Sequence, residues 1–269
     1  MRYKLLDTTR VYLFRVLVEV GEVHDVARQH ALYFTEVLRR TDAASLGACR
    51  ATDAAARVEQ VENARVALER SFSTEDDTQV GIGLAAAAAP AFLDLSLLTE
   101  CRTWAERALA APRSHGDSIH DAELLRAFAV SSMFTRGNTV EALAALKRGL
   151  EIAEQLHDLP LQLRLLGTLN IFYIRGGEFN EALAVSHRYA AIANGLNDRN
   201  NKLMSSWILG TSYHVSGDQF SALARCETSC FLLAGRGTHA LRFDDDHRTR
   251  ARIALARTLW LRGRPRRWR

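Results

Sequence analysis

The side chains able to do chemistry fall in a few places. Asp244, Asp245, Asp246 and His247 run consecutively and offer carboxylate and imidazole ligands to a metal. Neighbouring side chains point in different directions, and a zinc or calcium site needs ligands converging from elsewhere. No second cluster supplies them, so the run reads as a solvated loop or helix start. Cys226 and Cys230 lie one helical turn apart, with His214 in the preceding predicted helix. A structural zinc site would still need a fourth ligand, and small buried core residues are the simpler reading. His30 shares the apolar face of its predicted helix, where a packed or hydrogen-bonded imidazole is expected. A phosphate-binding loop requires G-x-x-x-x-G-K-[ST], and Gly81-Ile82-Gly83 lacks the lysine. No serine sits in a G-x-S-x-G elbow. The chain is therefore read as a non-enzyme, with no catalytic residue, metal or cofactor expected.

Charge offers a different chemistry. The formal net charge is +4, and much of the excess gathers at the end, from Arg248, Arg250 and Arg252 through Arg257 and Arg262 to Arg264, Arg266, Arg267 and Arg269. Such a cluster could contact phosphates. Its residues are nevertheless dispersed around a predicted helix and then crowded into a short tail, with only Trp268 able to stack on a base. Nucleic-acid binding through this end is the rival reading, separable by its steep salt dependence.

Bulk properties bound the setting. Hydrophobic residues make up 48% and charged residues 25%, near the globular averages. The longest apolar run, Gly81 to Leu93, is alanine-rich and broken by Pro90, too weak to cross a bilayer. The first ten residues carry no secretory signal. Cys49, Cys101, Cys226 and Cys230 are too scattered for a disulfide framework. A cytoplasmic chain with reduced thiols and no membrane contact is expected.

The elements that would position these residues are helices, because long stretches are rich in Ala, Leu, Glu and Arg and prolines number four. An internal repeat orders them. Gly137, Gly177 and Gly217 are spaced 40 residues apart, and Ala142, Ala182 and Ala222 follow each by five. Upstream, Ala129, Leu169 and Leu209 occupy one shared offset and Met133, Tyr173 and Tyr213 the next, at the four-residue step of one helix face. Asp158 and Asp198 keep the same period. Glycine suits the left-handed residue after a first helix. Asp218, and less clearly Thr139, can cap the second. Alanine suits the close crossing of the two, where a larger side chain would cost about 1–3 kcal/mol.

These residues resemble the tetratricopeptide repeat, a helical hairpin reading roughly W-x2-L-G-x2-Y, then glycine, then alanine. Leu209-Gly210-Thr211-Ser212-Tyr213 with Gly217 and Ala222 matches best; Leu169, Asn170, Tyr173, Gly177 and Ala182 form the second copy, and Met133, Gly137 and Ala142 a degenerate first. The resemblance implies an all-α, right-handed superhelical solenoid. The 40-residue period exceeds that of the standard repeat, so longer helices or connections are expected. Weaker copies flank the core. Before it, a helix from Thr99 to Ala111 follows the run ending near Phe92; after it, Ala251 to Leu261 supplies a first helix with Gly263 at its turn. The second helix of that last hairpin is expected to be missing. At the other end, Thr8 or Thr9 caps a helix stopped by Gly21, followed by a second from Val23 to Arg39.

Tyr3-Lys4-Leu5-Leu6, Gly21-Glu22, Ala27-Arg28-Gln29-His30, Glu62-Asn63-Ala64-Arg65, Glu100-Cys101-Arg102, Trp104, Phe134-Thr135-Arg136 and Leu241-Arg242-Phe243, in this order, resemble large bacterial signal-transduction ATPases. The resembling region is where a winged-helix-like domain ends and helical repeats begin. It implies a division at residues 1–45 and 46–269, with the sensor part of a transcriptional or signalling regulator present and the ATPase portion absent. The chain is thus expected to be part of a longer regulator. The expected function is a protein-interaction and sensing scaffold, taking a protein or peptide partner or a small-molecule effector in a groove lined by first helices. Arg136, Asn170, Arg175 and His214 are the expected groove residues.

Overall fold

The computed structural model describes residues 7–45, 53–73, 77–112, 118–196, 198–234 and 247–263. Among them lie twelve helices and no strand: α1 (Asp7–Val20), α2 (Val23–Ser45), α3 (Asp53–Ser71), α4 (Thr78–Asp94), α5 (Leu98–Ala110), α6 (Ile119–Thr135), α7 (Val140–Gln155), α8 (Leu159–Gly176), α9 (Phe179–Gly195), α10 (Arg199–Val215), α11 (Gln219–Ala234) and α12 (His247–Leu261). The all-helical class is the one expected. The Asp244-Asp245-Asp246 run, Leu241 to Phe243, Cys49, the segment before Asp7 and the arginine tail after Gly263 lie outside the described residues, as do the side chains of Cys230, His247, Arg248 and Arg250.

The 40-residue register is visible as helix boundaries. Gly137, Gly177 and Gly217 all take positive φ, at 89°, 78° and 92°, ending α6, α8 and α10 in the conformation that an L side chain enters at a cost. At Gly177 the amide of Glu178 reaches back to the Tyr173 carbonyl at 2.9 Å, which satisfies a carbonyl the helix would otherwise leave open. The opposite ends are capped on the same period. Ser118, Asp158 and Asp198 accept from the backbone amides of Asp121, Leu161 and Asn201 at the starts of α6, α8 and α10. The aspartates repeat in the sequence; serine in the first copy conceals the third member. Thr139 does cap α7, accepting from Ala142 N at 3.2 Å, and Asp218 accepts from Phe220 N and Ser221 N at the start of α11. At the N-terminus, α1 begins at Asp7, ahead of the threonines expected to cap it, and α2 runs on to Ser45.

Hairpin closure depends on small residues. Ala142, Ala182 and Ala222 are all 0% exposed. Gly210 is tighter still: a Cβ placed there would lie 2.7 Å from the Cys226 sulfur, so α10 and α11 meet at van der Waals contact. Every helix packs on its neighbours in the chain, and α2, α4, α6, α8, α10 and α12 also touch in succession. Among the described residues, no odd-numbered helix contacts another through its backbone. Two cores result. One joins Ala31, Phe34 and Leu38 of α2 with α3, α4, α5 and part of α6; the other runs from α6 to α10. The division expected at residue 45 therefore falls inside a shared core. Arg65 and Glu100, both among the residues carrying the ATPase-regulator resemblance, meet as a two-pronged pair at 2.7 and 2.6 Å between α3 and α5.

One expected groove residue is displaced by this packing. Asn170 is 2% exposed, and its amide nitrogen donates to the Ala182 carbonyl at 2.9 Å and to Ser212 Oγ at 2.8 Å. It ties α8 to α9 and α10 from within the core, so it cannot line a groove. It occupies the repeat position of Gly210, where the third hairpin achieves closure by absence of a side chain.

Two stability outcomes follow. Ala at Gly177 meets no atom within 4 Å, so its whole cost is the left-handed backbone, about 1 kcal/mol or more. Gly195→Ala, equally open but inside a helix without positive φ, should be neutral or stabilising by up to roughly 1 kcal/mol; urea unfolding of both variants checks the difference. Asn170→Ala strips two buried acceptors of their donor and should cost about 1–3 kcal/mol in the same measurement, whereas a change under roughly 0.5 kcal/mol would place Asn170 among ordinary surface positions.

Candidate functional site

The buried faces of α8 and α10 leave one stripe of each helix only partly covered, with Ile171, Ile174 and Met204 half-buried against the second core. On α8 the positions that escape burial include Pro160, Arg164, Ile171 and Ile174; on α10 they include Asn200, Met204, Thr211 and His214. The steps of three and four residues keep each set on one side of its helix. Each α10 member stands 40 residues after its α8 counterpart. Gly263, 46 residues past Gly217, carries the register into α12, where Arg257 and Trp260 (71% exposed) occupy the places of Thr211 and His214, and Ile253 (44%), one turn earlier on the same side, that of Trp207. Thr258 and Leu259, between them, are buried.

On α6 the corresponding stripe is closed up to its last turn, where Phe134 is exposed. Leu124 and Ala127 are completely buried in the N-terminal core. This part of the array is compact because α4 presents Gly81, Gly83 and five consecutive alanines, buried on all sides, so helices approach it closely. Arg39 of α2 reaches His120 of α6, its guanidinium donating to Nε2 at 2.6 Å. Burial, and then the adjacent Arg39 charge, lower the His120 pKa against the opposing pull of Glu123. The open surface therefore begins at the α6–α8 junction. There Glu123 stands between two cations, 2.5 Å from Arg164 and 3.5 Å from Arg126.

Three of the four expected groove residues stand at the turn end of this surface. Arg136 follows the last residue of α6 and is exposed. Arg175, in the last turn of α8, lies over the Phe134 ring at 4.9 Å, a cation–π distance, and its Nη2 donates to the Met133 carbonyl at 3.4 Å. Arg136 and Arg175 therefore belong to one edge, between α6 and α8. His214 sits one hairpin further on, half-buried, its Nδ1 2.9 Å from Gln219 Oε1 and 3.3 Å from Thr258 Oγ1 of α12. It joins α10 to α12. Arg164, Ile171, Met204 and Arg257 were missed by sequence reasoning, although counting back from each turn glycine in the 40-residue register would have found them.

The residues with chemical potential are otherwise occupied. Cys226 is buried against Gly210, and burial pushes the Cys101 thiol up to about 12, far from the reactive range. His30 packs against Phe34 with ring centroids 4.7 Å apart, and burial, then Arg70, lower its pKa. Among the described residues no three His, Cys, Asp or Glu side chains group as metal ligands, and no described helix is long and apolar enough to cross a membrane.

No protein-family model matches the chain, and no curated protein matches it. Among solved structures it is similar to BtubC (BKLC) from P. vanneervenii, at 18% identity and a TM-score of 0.57, covering 83% of this chain and 99% of that one. At this identity the likeness is one of fold.

Proposed function

We propose that the chain is a non-catalytic protein-interaction and sensing scaffold: a right-handed α-solenoid of TPR-like hairpins whose even-numbered helices form the inner layer and receive a peptide segment of a partner protein. The observation that carries this reading is the order of contacts between helices. Among the described residues the backbones of even-numbered helices come close in succession, while odd-numbered helices meet one another only through long side chains, as Arg65 and Glu100 or Arg188 and Glu154 do, and a stack with one layer drawn together and the other splayed bends toward the drawn-together layer. The partly covered stripes of α8 and α10 and the more open one of α12 then line the hollow of the curve, the extended surface by which stacked repeats bind partners. Repeated glycine turns and buried alanines support the hairpin geometry, and the similarity to BtubC supports the fold. A cytoplasmic setting accords with the bulk composition and the scattered cysteines, and a place as the sensor part of a transcriptional or signalling regulator rests on the sequence resemblance.

Selection from an unbiased displayed peptide library tests the reading. The chain should enrich a set of peptides, and Ile171→Glu or Thr211→Glu on the inner stripes should weaken them by about tenfold or more. Glu151→Lys, on the exposed side of α7, should leave them unchanged. An empty selection, or sensitivity confined to the outer helix, would remove the inner layer as the binding surface.

A further inference from the structure

Helix α1 carries more hydrocarbon than its packing covers. From Val11 to Val20 only Arg15 and Glu19 are polar, and a helix apolar on its remaining sides is normally buried. Yet Val11, Tyr12, Val18 and Val20 are between 55% and 67% exposed, and Phe14 is 44% exposed. Among the described residues the α1 backbone comes close to α2 alone. Arg70 of α3 adds a side-chain contact, its guanidinium lying 5.4 Å from the centre of the Phe14 ring. The helix is nevertheless held in a set direction. Gly21 takes a positive φ of 74°, and the Glu22 amide donates back to the Leu17 carbonyl at 3.0 Å, the closure of a Schellman turn. At 14 residues an isolated helix is marginal in water, so a surface that covers α1 would stabilise it. Five half-exposed apolar side chains on one short helix make a patch of several hundred Å², the size that marks an association site.

The charges on this face select its occupant. Arg15 and Glu19 stand one turn apart on the side of α1 away from the half-buried Leu17. Neither side chain is in an ion pair among the described residues. Val11 and Val18, seven residues apart, flank them on one side and Tyr12 on the other. Such a face is complementary to itself. When α1 of a second copy runs in the opposite direction and crosses at the level of Leu17, Arg15 comes opposite Glu19 of the second copy, and Glu19 opposite Arg15 of the second copy. We infer that α1 is the contact helix of a two-fold dimer, crossing antiparallel near Leu17 with two reciprocal Arg15–Glu19 pairs set among Val11, Tyr12 and Val18. A contact in which both copies use one surface closes at two. Doubled across the axis, the patch reaches roughly 1,000 Å², where small specific interfaces begin. A membrane surface fits less well, because helices that lie on anionic lipid carry a basic polar face and here Arg15 and Glu19 cancel. An unrelated protein would need its own matching carboxylate and cation, whereas a second copy brings both. The inference goes beyond the peptide-binding reading and uses no residue of α8, α10 or α12.

Sedimentation of the full chain over about a hundredfold range of concentration tests the inference, and should show a monomer–dimer equilibrium with no larger species. Val11→Glu with Val18→Glu, both at positions more than half exposed, should leave a monomer of unchanged helicity. Arg15→Glu and Glu19→Arg, each alone, should weaken the dimer about tenfold or more by setting like charges opposite one another. Mixing these two variants should restore association, because each supplies the charge that the other lacks, and differently tagged copies report the mixed dimer. A like-charge effect confined to one helix would not be relieved by mixing. A chain that stays monomeric throughout overturns the inference, whatever else α1 binds. A dimer that survives Val11→Glu with Val18→Glu, or that ignores both charge reversals, places the contact elsewhere and overturns it too. Open-ended aggregation in place of a closed dimer does the same, as does failure of the two charge variants to pair. No peptide enters this measurement, so its outcome leaves the inner-layer reading to its own test.

Discussion

The close crossing of paired helices is the constraint on which the rest of this structure depends. A hairpin of α10 and α11 can pack as it does only because Gly210 leaves room for the Cys226 sulfur and Ala222 is small enough to vanish into the contact. The glycine at each turn, held at positive φ, reverses the chain within a few residues. These two requirements, a left-handed turn residue and a small crossing residue, recur every 40 positions and fix the register of everything between them. In the second hairpin the same space is treated differently: Asn170 fills it and is stabilised by donating to Ala182 O and Ser212 Oγ. A buried amide is tolerated there because both its protons are satisfied.

Once the register is fixed, the two sides of each inner helix acquire separate duties. One side must pack against the outer helices and admits little but alanine, leucine and small polar residues. The other is only partly covered on α8 and α10 and more open on α12, where the packing constraint on sequence is looser. On α6 that looseness is absent until the last turn. The alanine run of α4 draws its neighbours so close that Leu124 and Ala127 of α6 are fully buried, and Arg39 bridges to His120 across the gap.

Much of the fold was legible in the sequence because the turn and crossing positions tolerate so few residue types. Gly177 and Ala182 announce themselves; so do Asp158 and Asp198 once the period is known. Ser118 does not, because serine and aspartate cap equally well and identity is not repeated where only hydrogen-bonding capacity is required. The candidate surface was harder to read. The partly covered positions Ile171 and Thr211 and the exposed Arg257 share no residue type, and only their register relates them. Asn170 misled for the converse reason: a polar residue on an inner helix suggests solvent, yet its partners come from α9 and α10, distant in sequence and invisible until the hairpins are stacked. Arg175 and His214 were found at the right end of their helices, but their contacts to Phe134 and Thr258 are tertiary.

The account is tested most directly by mapping where a bound peptide lies. A library-selected peptide carrying a photoreactive residue at each position in turn would be crosslinked to the full chain and the attachment sites located by mass spectrometry. The account predicts attachment to the inner stripes, at Ile171 on α8, Met204 or Thr211 on α10 and Ile253 on α12. Attachment confined to α7, α9 and α11 would contradict it.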